Sequence, residues 1–197
     1  MGFVVNGMGP EELARMREVV AHLSEYAEHL EKGWKVETTD GEVKLVAMSP
    51  NLPHGTNVRV FREQIEVQTP GVTAVNDTDM TDPVTGLEKV PDLMAFVTGD
   101  VDPQAESVDS RAVLLVMEVV SRANPKNDLV TKLQDYPRMG VPVYVIVDPR
   151  DGTIGVHSDP KPGPDGVRYR HSVPYTFGDT VPVGEWVFET SGLVRYR

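Results

Sequence analysis

The stretch Ala112-Val-Leu-Leu-Val-Met-Glu-Val-Val120 is apolar except for one carboxylate, that of Glu118. A continuous apolar run of this length is typical of a central strand that is covered on both faces of a sheet. Burying an ionised carboxylate without a partner costs several kcal/mol, so we expect Glu118 to contact a metal ion, a cation or a second carboxylate that shares a metal. Asp92 is the candidate second carboxylate, and Lys132 is the candidate cation.

The segments around this strand predict an α/β fold. Asn124-Pro125 is a favourable helix start, and the predicted helix runs to about Met139. Val141–Val147 is a second apolar strand, so residues 111–147 form a strand–helix–strand unit whose strands are expected to be parallel. Alternating segments after Pro149 predict an antiparallel C-terminal extension of a mixed central sheet flanked by helices. The remaining predicted elements are helices Pro10–Lys32 and Pro53 to Pro70, a hairpin of Trp34–Glu37 and Val43–Ala47 around Asp40-Gly41, and strands Val72–Val75 and Lys89–Val97, the last carrying Asp92.

The composition is that of an ordinary soluble globular protein, with 40% hydrophobic and 25% charged residues among 197. Nothing in it resembles an interdomain linker, so we expect a single domain over residues 34–197, with an N-terminal helical segment, residues 1–33, packed on its core. The absence of cysteine excludes disulfides, thiol catalysis and thiolate zinc sites. With no apolar run of membrane-spanning length and no signal-peptide pattern, a cytoplasmic protein without membrane contact is expected. The net charge of −11 speaks against a generic nucleic-acid binder.

Two carboxylates and a lysine are the groups that metal-dependent phosphodiester hydrolysis requires. Mg²⁺ prefers oxygen ligands, and a cation near the scissile phosphate orients the attacking water and stabilises developing negative charge. We interpret Asp92 and Glu118 as metal ligands from adjacent strands, with the backbone carbonyl of Val119 as a third ligand. Lys132 would supply the cation.

Several short motifs recur in an order that resembles the Uma-two family, whose members are restriction-endonuclease-like proteins of the PD-(D/E)XK nuclease superfamily. The matching positions are Pro91-Asp92, Glu118-Val-Val-Ser121, Asp128, Lys132, Tyr136, Gly140-Val-Pro142 and Val147-Asp-Pro149, with Glu37, Asp40-Gly41, Met48-Ser-Pro50 and His54 upstream. The resemblance covers roughly residues 34 to 160, and the combination is specific although each motif alone is weak. It implies a restriction-endonuclease-like fold, Asp92 and Glu118 as ligands of Mg²⁺ or Mn²⁺, DNA as the partner, and a homodimer.

One position departs from the superfamily pattern. Val120 occupies the third position of the E-x-K element, where a lysine is expected. The resemblance implies that this lysine has moved to the following helix, where Lys132 is its expected place and Lys126 is the alternative.

Five further residues are candidates around the metal on the strength of this resemblance: Glu37, His54, Ser121, Asp128 and Tyr136. His54 is interpreted as a phosphate contact or proton carrier, or as an ordinary surface histidine at a helix start. Glu37 would be a further acid at the same cleft. Ser121 is either a helix cap or a hydrogen-bond donor to the site.

The helix residues around Lys132 have two interpretations. Asp128 and Tyr136 share its helix face and would orient it or contact a substrate, or they belong to a solvated face. Because Asp128 lies four residues before Lys132, an exposed ion pair between these two is the default interpretation.

The strand carboxylates also have plain structural interpretations. Glu118 would then be a buried acid paired with Arg111 or Arg122, and Asp92 would be a turn residue after proline.

The function we expect is a Mg²⁺- or Mn²⁺-dependent DNA endonuclease in which a metal-activated water attacks a phosphodiester. The first alternative is a catalytically weak or inactive nuclease-like module for binding or regulation, which the net charge and Val120 favour. The second is a structural or partner-binding protein in which Glu118 is merely ion-paired.

Overall fold

The computed structural model describes residues 9–30, 33–39, 42–47 and 51–197. The predicted turn at Asp40-Gly41 and the motif Met48-Ser-Pro50 lie outside these ranges. The α-helices are α1 (Pro10–Glu28), α2 (Leu52–Gln68) and α3 (Leu133–Arg138), the last continuous with a π-helical segment at Asn127–Lys132, and a short 3-10 helix spans Ser110–Ala112. The strands are β1 (Trp34–Thr39), β2 (Glu42–Ala47), β3 (Val72–Val75), β4 (Met80–Thr81), β5 (Glu88–Lys89), β6 (Leu93–Val97), β7 (Val108–Asp109), β8 (Val113–Val119), β9 (Val143–Asp148), β10 (Thr153–Gly163), β11 (Gly166–Thr176), β12 (Thr180–Val183) and β13 (Trp186–Glu189).

A six-stranded sheet forms the centre of the fold, in the order β11-β10-β9-β8-β6-β3. Neighbouring strands are antiparallel except β8 and β9, which are parallel and are joined by the helical segment that ends in α3. The predictions of a mixed sheet, of a parallel strand–helix–strand unit and of an antiparallel C-terminal extension are therefore confirmed.

Alternation along β8 supplies one layer of the hydrophobic core with Leu115, Met117 and Val119. This layer is closed by α2 and by the hairpin of β12 and β13. Phe61 of α2 packs on Phe188 of the hairpin with ring centroids 4.7 Å apart. Because side chains on a strand alternate between faces, the intervening residues of β8 must point to the opposite layer.

The opposite layer lies between the sheet and α3, and it contains Val116, Val120 and Tyr136. Glu118 lies between the two valines on the same face of β8, so its carboxylate enters the space beneath α3. Lys132, directly before α3, meets it there. The fold therefore directs one acidic side chain and one basic side chain into a single buried layer.

The N-terminal helix α1 packs on the hairpin of β1 and β2, through Val20 and Ala27 of α1 and Val36 of β1. The predicted end at Lys32 is wrong, because α1 ends at Glu28 and the N–H of His29 bonds to Tyr26 in a tighter last turn. The division into segments 1–33 and 34–197 stays a prediction. No helix in the described part of the chain is long and apolar enough to cross a membrane.

The predicted strand Lys89–Val97 is divided in the structure. Its first residue, Lys89, belongs to β5, its last five residues form β6, and Asp92 lies immediately before β6 rather than within a strand. Pro91 explains the break, because proline has no N–H to donate to a strand ladder. The break leaves Asp92 at a strand entrance, where its side chain can turn toward a neighbouring strand.

Candidate active site

A cavity of about 300 Å³ opens between the hairpin of β1 and β2, the first turn of α2 and the adjacent ends of β6 and β8. The side chains that carry its chemistry are Lys35, His54, Asp92, Glu118, Asp128 and Lys132. Each of the three main sequence candidates, Asp92, Glu118 and Lys132, thus reaches the same space.

The antiparallel register of β6 and β8 brings the two carboxylates together. Leu93 pairs with Met117, so Asp92 and Glu118 each lie one residue beyond that pair. The backbone N–H of Asp92 donates to Glu118 Oε2 at 3.3 Å, and the N–H of Val119 donates to Asp92 Oδ2 at 2.9 Å. Strand pairing alone therefore fixes the relative position of the carboxylates.

Glu118 is fully buried and receives two strong donors on one oxygen. Lys132 Nζ lies 2.7 Å from Oε1, and the hydroxyl of Tyr136 donates to the same oxygen at 2.5 Å. Burial raises the pKa of Glu118 well above its usual range, the Asp92 and Asp128 charges add to this, and Lys132 opposes it. The donors around the carboxylate favour its ionised form.

The interpretation of Glu118 as a buried acid paired with Arg111 or Arg122 is wrong. Arg111 is an exposed residue bonded to Asp109, and Arg122 donates to the backbone carbonyl of Arg197. The cation beside Glu118 is the lysine of the following helix.

Lys132 is the centre of a buried ion network. Its Nζ lies 2.7 Å from Glu118, 3.1 Å from Glu37 and 3.7 Å from Asp128. The interpretation of Asp128 and Lys132 as an exposed ion pair is therefore wrong, since the Lys132 side chain is only 3% exposed. Burial lowers the pKa of Lys132, but the surrounding carboxylates outweigh this and raise it well above its usual value. Lys126, the alternative lysine, is exposed.

The π-helical segment explains why these residues are buried. The sequence predicts a regular α-helix here, but residues Asn127–Lys132 adopt the wider π form. Asn127, Asp128 and Lys132 all lie on the buried side. A π-helix bonds to the fifth residue along and shifts the following residues around the axis, which is how such segments present side chains at functional sites.

Asp128 and Ser121 also line this cavity. Burial raises the pKa of Asp128 to about 6, with the charges of Asp92 and Glu37 adding to this and Lys132 opposing it. Ser121 Oγ accepts the backbone N–H of Asn124 at 3.0 Å, so it caps the start of the helical segment. Tyr136 is fully buried against Glu118, and the solvated-face interpretation of these helix residues is wrong.

His54 contacts Asp92, and Glu37 contacts Lys132. His54 Nε2 lies 3.2 Å from Asp92 Oδ2, and Asn51 holds the start of α2 by accepting the His54 backbone N–H at 3.0 Å. Burial by itself raises the pKa of Asp92, but the His54 hydrogen bond and the charge of Lys35 outweigh it and hold this pKa below its usual value. Burial by itself also raises the pKa of Glu37, but the positive charge of Lys132 outweighs burial, so this pKa lies below its usual value.

A protein-family model described as "Putative restriction endonuclease" (Uma2) matches residues 23–187, a range that contains every residue of this network. The chain belongs to the Uma2 family. The resemblance read from the sequence motifs is thereby confirmed, and the match extends beyond the range those motifs cover.

A solved structure shows a similar fold. The crystal structure of a putative nuclease belonging to DUF820 from Anabaena variabilis ATCC 29413 is 15% identical, covers 87% of this chain and 96% of its own, and has a TM-score of 0.64. Apo NucC of E. coli MS115-1 is 13% identical over 78% of this chain and 56% of its own, and its TM-score of 0.32 is too low to show a common fold. No curated protein matches the chain significantly.

Lys35 also lines the cavity of this Uma2 member, and it is not among the residues predicted from the sequence. Its Nζ lies 3.0 Å from Asp92, 2.8 Å from Asp77 and 3.2 Å from the carbonyl oxygen of Val90. A signal was present in the sequence, because Lys35 and Glu37 are two residues apart on one strand and therefore share a face. Asn127 was also missed; its Nδ2 donates to Glu37 at 3.2 Å.

A second buried ion pair holds the strand that carries Lys35 and Glu37. Lys89 Nζ lies 2.7 Å from Asp135 and donates to the backbone carbonyl of Thr38 at 2.7 Å. Thr39 Oγ1 donates to Asp135 at 2.7 Å. These contacts join β1 to α3 and so fix the strand that carries Lys35 and Glu37.

Replacing Lys35 with methionine is expected to lower the free energy of unfolding by about 1–3 kcal/mol, because Asp92 loses a buried partner while keeping His54 and a backbone N–H. Lys44→Met is the matched control, since Lys44 lies on the same hairpin but is much more exposed, paired with Glu42 at 3.4 Å. This control should change stability by less than about 0.5 kcal/mol in urea denaturation. Equal effects of the two substitutions would contradict the assigned contact.

Proposed function

We propose that this chain is a Mg²⁺- or Mn²⁺-dependent DNA endonuclease, and that the cavity at the ends of β6 and β8 is its active site. The observation that carries the proposal is the contact between Asp92, at the entrance of β6, and Glu118 of the adjacent strand β8, with the Lys132 ammonium 2.7 Å from Glu118. Membership of a family described as restriction endonucleases supports the same reaction class.

The charge balance of the network fits a divalent cation. Four buried carboxylates oppose two lysines, namely Glu37, Asp92, Glu118 and Asp128 against Lys35 and Lys132. Burial raises the pKa of Glu118 and of Asp128, and a bound divalent cation would favour their ionised forms. With all six groups ionised the formal sum is four negative against two positive charges, a surplus that such a cation would neutralise.

The oxygen atoms that could serve as metal ligands in the cavity also suit a divalent cation. Carboxylate and carbonyl oxygens with water are the ligands that Mg²⁺ prefers. Within the described residues, no group of three or more histidine, cysteine, aspartate or glutamate side chains is arranged to hold a metal. We therefore assign the metal to two carboxylates, Asp92 and Glu118, together with the backbone carbonyl of Val119. Bound there, the ion would supply a water of lowered pKa as nucleophile and positive charge opposite the reacting phosphate.

The chain's own residues prepare the two carboxylates for this task. Tyr136 and Lys132 both donate to one oxygen of Glu118, which fixes the orientation of that carboxylate. His54 and the Val119 N–H do the same for Asp92. Such hydrogen bonds around a ligand set its orientation and basicity.

Lys132 replaces the lysine of the E-x-K element as the cation beside Glu118. Val120 is fully buried in the apolar layer, so a lysine at that position would have to displace core packing. The helix delivers the ammonium group to Glu118 instead. Lys35, which lines the cavity beside Asp92, adds a second positive charge that would stabilise negative charge on a bound phosphate.

The experiment that tests this function is cleavage of supercoiled plasmid by the purified chain with Mg²⁺, with Mn²⁺ and with EDTA. We expect nicked and linear products with either metal, none with EDTA, and recovery of cleavage when excess metal is added back. DNA binding without cleavage under any metal would contradict the endonuclease and favour the binding module. Absence of both binding and cleavage would contradict the endonuclease and the DNA-binding module alike.

A further inference from the structure

We propose that the Lys35 ammonium group serves as the second cation of the active site, so that the chain uses one metal ion where two-metal nucleases use two. In two-metal sites, ions about 3.5–4 Å apart stabilise the attacking and the leaving oxygen of the phosphate. Lys35 would supply the second of these positive charges from the protein itself. The inference rests on the endonuclease function proposed above and specifies how many metal ions that function needs.

Three oxygen atoms surround the Lys35 ammonium group. Its Nζ lies 2.8 Å from Asp77 Oδ1 and 3.0 Å from Asp92 Oδ1. The carbonyl oxygen of Val90 accepts a hydrogen bond from the same Nζ at 3.2 Å. An ammonium group has three N–H donors, one for each of these oxygens. Two carboxylates and a backbone carbonyl are also ligands that hard cations such as Mg²⁺ and Ca²⁺ take in proteins, so Lys35 occupies a set of oxygens that suits a metal ion.

The two oxygens of Asp92 are directed at different strands. Oδ2 accepts the backbone N–H of Val119 on β8 at 2.9 Å, whereas Oδ1 lies beside Lys35 of β1. Glu118, the other carboxylate of the proposed metal site, also belongs to β8. Asp92 therefore lies between the strand that carries Glu118 and the ammonium group, which is the place of a carboxylate that serves two cations.

Asp77 completes the oxygen set from the bend that follows β3. Its backbone N–H donates to the carbonyl of Pro91 at 3.2 Å, which places Asp77 beside the segment that carries Asp92. Its φ of 48° is left-handed, a conformation that aspartate adopts more readily than most residues. The Asp77 side chain is 49% exposed and lines the catalytic cavity, so ions from solvent can reach this end of the oxygen set.

Lys35 is held as a buried cation. Its side chain is only 10% exposed, and it lines the catalytic cavity. Burial by itself lowers the pKa of Lys35, but the neighbouring carboxylates, above all Asp92, outweigh burial and raise this pKa above its usual value. Lys132 contacts a different set of carboxylates, namely Glu37, Glu118 and Asp128. The two lysines therefore have separate tasks, and Lys35 alone takes the second cation position.

The test is the number of Mn²⁺ ions that each chain binds, measured by calorimetric titration of the wild type and of Lys35→Ala. We expect one ion per wild-type chain and two per variant chain, because alanine leaves the oxygens of Asp77 and Asp92 without their cation. Adding Asp77→Asn to Lys35→Ala should return the count to one, since it removes a carboxylate of the second position. Lys44→Ala, on the neighbouring strand β2, carries the same charge change and should bind one ion.

The outcomes separate the role of Lys35 from the proposed function. Two ions bound by the wild type, or one ion bound by a folded Lys35→Ala variant, would overturn the role of Lys35 and leave the endonuclease intact. No ion bound by the wild type would overturn both. Melting curves without metal show whether Lys35→Ala is folded. If it is not, Lys35→Gln keeps more of the side chain without its charge and should likewise bind two ions, and one ion would overturn the proposal.

Discussion

Replacing Glu118 with glutamine is expected to lower the rate of metal-dependent plasmid cleavage by at least about 100-fold. Loss of a partner that only supports a ligand costs about 10- to 100-fold in metal affinity or activity, and Glu118 is proposed as a ligand itself. Glutamine keeps the shape of the side chain, and Lys132 keeps its ion pair with Glu37. Initial rates of plasmid nicking at saturating metal measure the effect.

Glu63→Gln is the matched control for this substitution, because Glu63 is an exposed residue of α2 that pairs with Arg59. Its cleavage rate should equal that of the wild type. A Glu118→Gln variant that is folded and cleaves within threefold of the wild type would remove Glu118 from the active site.

Replacing Lys132 with methionine should lower the free energy of unfolding by about 3–5 kcal/mol. Methionine keeps much of the length of the side chain, so the loss comes from leaving Glu37 and Glu118 buried without their shared cation. Urea denaturation measures the change. Lys126→Met, exposed on the same helical segment, should stay within about 0.5 kcal/mol of the wild type.

A second substitution tests whether this loss is electrostatic. Glu37→Gln removes one of the buried charges that Lys132 neutralises, so the Lys132→Met/Glu37→Gln double variant should be more stable than the sum of the single effects predicts. Strictly additive effects would show that Lys132 stabilises the fold by packing rather than by charge.

The proximity of Asp92 and Glu118 was predictable from the sequence because both residues stand out in their local sequence. A single carboxylate in the apolar run of β8 and an aspartate after proline are visible without any structure. Since β6 and β8 are adjacent and antiparallel, the two residues meet by register alone. The parallel pairing of β8 and β9 was predictable for the same reason, because a helix-length connection favours it.

What the sequence did not predict depends on distant packing. Lys35 reaches Asp92 only because the hairpin of β1 and β2 folds over the strand ends, a contact between residues 57 apart. The π-helical form of Asn127–Lys132 leaves no hydrophobic period in the sequence. The spacing of Asp128 and Lys132 therefore predicted an exposed ion pair, although both residues are buried. The first turn of α2 likewise meets residues 194–197 only in the tertiary fold.

Calorimetric titration of Mn²⁺ into the wild-type chain and into Asp92→Asn, with plasmid cleavage followed in parallel, tests the central claim most directly. Asparagine keeps the size of the side chain and its bond from the Val119 N–H, so the fold should persist. The account predicts saturable binding and cleavage in the wild type and loss of both in the variant. Equal Mn²⁺ binding by the two chains, or none by the wild type, would contradict a catalytic metal held by Asp92.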